Sequence, residues 1–227
     1  MKCVVPLAGP DIFLEGRGFK PLIDLDGDTL IHRTLAGRPW AAVLAPEDYI
    51  FVTRSDIGTS ELNDYLRATW PGCRVVTIPG ITDGAMLSAL AGILMVPDDT
   101  PIIVDLADIM FDASDLKTIT FDDRLGAIIP SFKSQEPIYS YLVIENGLVT
   151  QAAEKRVISN NASAGVYIFR DRKAYLAAAA HSITHRDELR FKNIYFVCPM
   201  ANGLIEAGYS VTSPSVENVI SISKDFH

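Results

Sequence analysis

The chain has 227 residues, 48% hydrophobic and 21% charged, with a formal net charge of -8. This length and apolar content fit one large-cored domain and exclude a disordered chain, while the acidic balance and the lack of a basic stripe argue against a nucleic-acid partner. A phosphate-bearing substrate stays compatible, provided that a few Lys and Arg or a metal offset its charge.

In chain order, residues 3–7 form an apolar run that predicts a short buried strand. A loop holding Gly9, Gly16 and Gly18 follows, closed by Lys20 just before Pro21. The Asp26-Gly27 turn then leads into a helix over 29–36. Strands are expected at 49–53, 74–78 and 101–106, separated by helices at 59–69, with Ser60 as a candidate cap, and at 83–94, with Asp83 as the cap. Apolar strands alternating with helices imply a parallel sheet covered on both faces. The second half differs. A strand is expected at 125–130, and Asn146-Gly147 between the β-rich runs 138–145 and 148–153 predicts a type I′ antiparallel hairpin. A strand at 164–169, a helix at 171–181, a helix at 193–207 interrupted or restarted at Pro199, and strands at 209–212 and 216–222 complete the pattern. With no repeat, low-complexity tract or linker, residues 1–227 are expected to form a single three-layer α/β/α, Rossmann-like domain with a mixed sheet.

Cys3, Cys73 and Cys198 lie far apart in apolar surroundings and form no CxxC pair. They suit buried free thiols in a reducing compartment. Pro6 and Gly9 interrupt the N-terminal apolar run, and the longest apolar stretch, 85–96, is too short for a bilayer. A soluble cytoplasmic protein without a membrane partner is expected, with a homo-oligomer left open.

Ligands of open parallel sheets bind beyond the carboxyl ends of the strands. Three features should meet there: the loop 8–20, the turn 80–85 leading into a helix, and the Asp105-Leu106-Ala107-Asp108 strand end. Glycines let backbone N–H groups approach phosphate oxygens, and the Lys20 ammonium can reach a phosphate chain. The loop is neither a P-loop, lacking GK[ST], nor the dinucleotide G-x-G-x-x-G. Asp105 and Asp108 could hold Mg²⁺, which takes one or two carboxylates plus phosphate oxygens. Equally, Asp108 could turn the loop while Asp105 bonds a neighbouring strand end.

Four segments together resemble the sugar-nucleotide pyrophosphorylases, nucleotidyltransferases of the glycosyltransferase-A-like fold. They are Val5-Pro6-Leu7-Ala8-Gly9 with Phe19-Lys20-Pro21-Leu22-Ile23, Thr82-Asp83-Gly84-Ala85, the strand ending in Asp105 and Asp108, and 148–155 with 163–169. The resemblance spans almost the whole chain. It implies that a nucleoside monophosphate passes from a nucleoside triphosphate to a sugar phosphate or another small phosphomonoester, with release of pyrophosphate. It also implies a place in nucleotide-sugar supply for capsule or polysaccharide synthesis. By the match, Lys20 bridges phosphates, and Asp108, with Asp105, holds Mg²⁺. Leu7, Ala8, Gly9, Asp83 and Gly84 lie against the nucleotide. Glu154 takes acceptor hydroxyls, Lys155 the acceptor phosphate, and Gly165 lines the acceptor side. The sequence departs from the family pattern where Pro10-Asp11-Ile12-Phe13 follows Gly9, where Phe19 and Arg156 replace prolines, and where residues 218–225 offer no clear second metal aspartate. Arg17 could replace the family's loop arginine if the loop folds back. These departures keep open a non-catalytic nucleotide- or sugar-binding homologue. A metal-dependent glycosyltransferase using Asp105 and Asp108 as a D-x-x-D motif is the other alternative.

His181 and His185, four apart near a helix end, have a spacing that can hold Zn²⁺, although Thr184 and Asp187 favour a solvated, fraying end. Residues 190–196 alternate basic and aromatic side chains, and either border the acceptor pocket or a subunit interface, or pack a helix.

Overall fold

The computed structural model describes residues 1–113 and 116–221. Eleven strands form one mixed sheet. In chain order they are β1 (Lys2–Pro6), β2 (Tyr49–Arg54), β3 (Arg74–Ile78), β4 (Ile102–Asp105), β5 (Leu125–Ile128), β6 (Ser131–Lys133), β7 (Ser140–Glu145), β8 (Leu148–Glu154), β9 (Asn161–Ser163), β10 (Val166–Phe169) and β11 (Ser210–Thr212). Their spatial order is β6-β9-β7-β8-β11-β5-β10-β4-β1-β2-β3. The run β4-β1-β2-β3 is parallel, and β10 joins it antiparallel to β4.

The described residues form six α-helices: α1 (Leu30–Ala36), α2 (Ser60–Thr69), α3 (Ala85–Ile93), α4 (Arg172–Thr184), α5 (Arg186–Leu189) and α6 (Met200–Glu206). The side-chain alternation of the strands explains why both faces need covering. Cys3, Val5, Phe51, Ile103 and Ile168 point to the face packed by Ile31 and Leu35 of α1 and Leu62 and Leu66 of α2. Val4, Ile50, Val52, Val104 and Tyr167 point to the opposite face, packed by α3, α4 and α6. Each fully buried side chain of this size contributes about 1.5–3 kcal/mol, so both faces are needed for a stable sheet. The layers are those expected from the alternation of apolar runs.

Local chemistry sets most boundaries. Thr29 Oγ1 accepts from His32 N and starts α1, and the Asp171 carboxylate accepts from Ala174 N and starts α4. The Asn146-Gly147 turn has φ of 51° and 80°, as a type I′ hairpin between β7 and β8 requires. Three expectations are corrected. Ser60 does not cap α2; Thr59 takes the cap position, and its hydroxyl donates to the Arg54 carbonyl instead. Asp83 does not cap α3; Gly84 occupies that position, and the Asp83 carbonyl accepts from Tyr195 N at 2.7 Å. Residues 193–199 are not helical. Lys192 and Asn193 adopt φ of 50° and 65°, Phe191 and Ile194 bridge antiparallel, and α6 begins only after Pro199.

A separate ribbon pairs Ile109–Asp112 with Glu217–Ser221. The first of these strands was not foreseen, and residue 222 of the expected late strand lies outside the described residues. No described helix is long and apolar enough to cross a membrane.

Candidate active site

The carboxyl ends of β1 and β4 open into the loops that carry most of the expected site residues. After β1, the Leu7 N–H donates to the Val52 carbonyl at 2.7 Å, and both Leu7 and Ala8 are buried. The chain then forms a small ribbon, Phe13–Leu14 against Gly18–Phe19, before a 3-10 turn at Lys20–Leu22. The Lys20 N–H donates to the Ile12 carbonyl at 2.9 Å, which anchors the return of the loop. Lys20 is buried, and its Nζ lies 3.2 Å from Asp11 Oδ2. The other Asp11 oxygen is 2.9 Å from the point where a side chain on Gly9 would begin. Asp11 therefore sits between the first glycine of the loop and its lysine. Arg17 lies exposed at the far tip of the ribbon.

The two strand-end aspartates have separate fates. Asp105 is fully buried, and both of its oxygens bind Arg38, Nε at 2.7 Å and Nη2 at 2.8 Å. Its Oδ1 also accepts from Ala107 N at 2.9 Å. The Arg38 guanidinium in turn lies 4.4 Å from the Phe111 ring centroid. Asp105 thus serves to hold the strand end, and a D-x-x-D metal motif, which needs both carboxylates, loses one of them to this pair. Arg38 carried no signal of its own in the sequence, although a buried strand-end aspartate calls for a cation somewhere.

Asp108 differs. Its Oδ1 is buried with no hydrogen-bond partner among the described residues. Burial raises its pKa from 3.8 to about 6, opposed chiefly by the Lys20 ammonium. The Lys20 ammonium therefore favours the charged form of Asp108. Gly165 makes the room. It has a φ of 74°, its carbonyl accepts from Leu106 N at 3.0 Å, and a Cβ on it would lie 2.8 Å from Asp108 Oδ1. Any side chain at 165 would press on the unpaired carboxylate oxygen.

Glu154 ends β8 on the same side. Burial raises its pKa to about 7, the Ser140 hydroxyl and the Lys155 ammonium oppose this, and the Asp108 charge adds to it. The Ser140 hydroxyl donates to Glu154 Oε2. Lys155 follows with a φ of 49°, and its ammonium stands 5.7 Å from the Phe191 ring centroid and 5.5 Å from that of Phe196. Phe191 and Phe196 of the basic-aromatic run therefore flank Lys155, and the run is not a packed helix. A sequence motif shows neither the hydroxyl beside Glu154 nor the rings beside Lys155, because each contact is long-range.

Gly84 has an internal reason to be glycine. Its φ is 124°, and a Cβ there would sit 2.6 Å from Ile194 Cγ2 and 2.8 Å from Tyr195 N. The turn thus docks on residues 194–195, and Met86 N donates to the Tyr195 carbonyl at 3.3 Å. Asp108 feels the charge of Lys20 and acts on Glu154, and Gly165 lies against it, while Asp83 and Gly84 are locked to the aromatic segment. Asp105 faces Arg38, and Arg17 stands at the ribbon tip.

No family model matches the chain, and no curated protein does. Solved structures do match. A nucleoside-diphosphate-sugar pyrophosphorylase from Vibrio cholerae superposes with a TM-score of 0.79 at 21% identity, covering 99% of this chain and 98% of that one. A Bacillus anthracis structure described as a glucose-1-phosphate thymidylyltransferase, in complex with sucrose, gives 0.73 at 17% identity over 97% of this chain and 89% of that one. The inositol-1-phosphate CTP transferase of T. maritima gives 0.67 at 15% identity over 96% and 86%. The chain has the fold of the sugar-phosphate nucleotidyltransferases, as the four sequence segments suggest.

Proposed function

We propose that the protein is a nucleotidyltransferase that moves a nucleoside monophosphate from a nucleoside triphosphate to a sugar phosphate or another small phosphomonoester. Pyrophosphate leaves, and the reaction depends on Mg²⁺. One observation carries this reading: Asp108 has a buried carboxylate oxygen with no hydrogen-bond partner among the described residues, and the Lys20 ammonium acts on its charge. The neighbours are named as a glucose-1-phosphate thymidylyltransferase and an inositol-1-phosphate CTP transferase, which supports a sugar phosphate or another small phosphomonoester as the acceptor.

The donor set suits Mg²⁺, which takes one or two carboxylates and completes its shell with water and phosphate oxygens. Asp108 would hold it alone, because Arg38 occupies Asp105. When bound, Mg²⁺ would neutralise charge on the triphosphate and on the departing pyrophosphate. Lys20 binds the phosphates once it parts from Asp11. Leu7, Ala8, Gly9, Asp83 and Gly84 form the nucleotide side, and Arg17 joins it only if the loop folds back.

An oxygen of the acceptor phosphate attacks the α-phosphorus in line. The new P–O bond forms as the bond to the bridging β-phosphate oxygen breaks. Positioning and charge neutralisation supply most of the barrier lowering. Glu154, with a pKa of about 7, both accepts from and donates to acceptor hydroxyls near neutrality. Lys155, held beside two aromatic rings, takes the acceptor phosphate, and Gly165 leaves space for the sugar. A cytoplasmic role supplying nucleotide-activated donors for polysaccharide or capsule synthesis fits this chemistry.

The test is pyrophosphate release from a panel of nucleoside triphosphates and phosphorylated acceptors, with and without EDTA. Release that disappears in Lys20→Ala and Asp108→Ala supports the proposal. Nucleotide binding without release supports a non-catalytic binding homologue, a reading favoured by Asp11 on Lys20. Glycosyl transfer from a nucleotide sugar would move the protein into another class.

A further inference from the structure

On the helical face, beside β8 and β11, a second group of metal-ligating side chains meets between α4 and α6. His181 and His185 lie one helical turn apart on α4, and Glu206 ends α6. Their ligand atoms all fall within 4.8 Å of one another. His181 Nδ1 is 3.3 Å from Glu206 Oε2, and the two imidazole rings stack with centroids 4.1 Å apart.

The geometry points to a Zn²⁺ site formed by His181, His185 and Glu206, separate from Lys20 and Asp108. Three features support it. The ligands come from two helices, so the site does not rest on the i,i+4 pair alone. His185 Nδ1 lies 3.1 Å from the His181 carbonyl. With Nδ1 donating there, the Nε2 lone pair is left for a cation, the arrangement usual for metal-bound histidine. His181 is seated before any metal arrives: its side chain is 15% exposed, and a Cβ on Gly203 would lie 2.7 Å from its own Cβ. Gly203 and Glu206 stand three apart on α6, so the residue that admits the imidazole and the residue that meets it share one helix face.

Two imidazoles and one carboxylate suit Zn²⁺ and exclude hard cations such as Mg²⁺ as preferred occupants. Three protein ligands leave the fourth tetrahedral position to water. The ion would tie the end of α4 to α6. His185 is also the residue at which α4 gives way to α5, and the chain runs on from there to Phe191, Tyr195 and Phe196. Zinc would therefore brace the base of the segment that flanks Lys155 and Gly84. Without metal, the same contacts amount to the close approach of His181 Nδ1 to Glu206 Oε2.

The test uses untagged full-length protein stripped with EDTA and then titrated with ZnCl₂ by calorimetry and with CoCl₂ by visible absorption. The expected result is one Zn²⁺ per chain, an intense tetrahedral Co²⁺ spectrum, and a melting temperature that rises with zinc. His185→Gln and Glu206→Gln, both at partly or fully exposed positions, should each weaken binding by at least about tenfold. Asp108→Asn should leave it unchanged. Only a weak octahedral Co²⁺ spectrum in the wild-type chain would overturn the site, whatever the variants do. Equal zinc affinity in the wild-type chain and in a folded His185→Gln variant would overturn it too.

Discussion

Asp108→Asn separates the stability of this fold from its chemistry. The carboxyl of Asp108 is raised from 3.8 to about 6 by burial. The folded chain therefore binds a proton that the unfolded chain has already released between those pH values. The sign follows from linkage. Where the native state holds more protons than the unfolded state, stability falls as pH rises, so the wild-type chain loses stability from about pH 4 to about pH 6 and stays lower above that. A rise of this size, at about 1.4 kcal/mol per tenfold change, corresponds to about 3 kcal/mol, of which about 2–3 kcal/mol develops above pH 4. The asparagine variant lacks this term. Any fixed cost of burying the amide is the same at every pH, so the informative quantity is the change in the stability difference with pH. Urea unfolding of metal-free wild-type and variant chains between pH 4 and pH 8 should show the variant gaining about 2–3 kcal/mol relative to the wild type, while pyrophosphate release is abolished. A stability difference that stays flat across this range would refute the claim that Asp108 is held in an unfavourable charged state awaiting a cation.

Three further outcomes are expected. Arg38→Ala strands the fully buried Asp105 carboxylate and should cost about 3–5 kcal/mol by urea denaturation, whereas Arg38→Met combined with Asp105→Leu should recover much of that loss. Gly84→Ala forces a Cβ into Ile194 and Tyr195 at a φ unsuited to alanine. It should lower the melting temperature and weaken nucleotide and acceptor binding together, as read by thermal shift and equilibrium binding. Asp11→Asn frees the Lys20 ammonium from its competing carboxylate. It should tighten nucleoside triphosphate binding several-fold in fluorescence competition, and unchanged binding would mean that Asp11 does not compete with phosphate.

The sheet layers were legible because apolar strands and helices alternate in the first half and because Asn146-Gly147 marks a hairpin in the second. The four motif segments pointed to the fold that the solved structures share. The non-helical stretch before α6 was missed because residues 193–199 have helical-looking apolar spacing. Their conformation is set by turn residues with positive φ and by docking against Gly84, which lies more than a hundred residues upstream. The pairing of Asp105 with Arg38 was invisible for a similar reason: nothing within a local window links position 38 to position 105. Asp11 was visible as a departure from the family loop, but only the folded ribbon shows that its carboxylate lies on Lys20. Sequence spacing suggested the His181–His185 pair, yet Glu206, which meets it, stands on a helix whose approach depends on Gly203.

The tie between Arg38 and Asp105 also limits how this chain can change over generations. Losing the arginine first leaves an orphaned anion in the interior, and losing the aspartate first leaves an orphaned cation, so either single step passes through a weakened intermediate. Positions 38 and 105 should therefore be inherited as a unit. A descendant that gave its first strand-end aspartate to a metal would first need to empty position 38 of its charge.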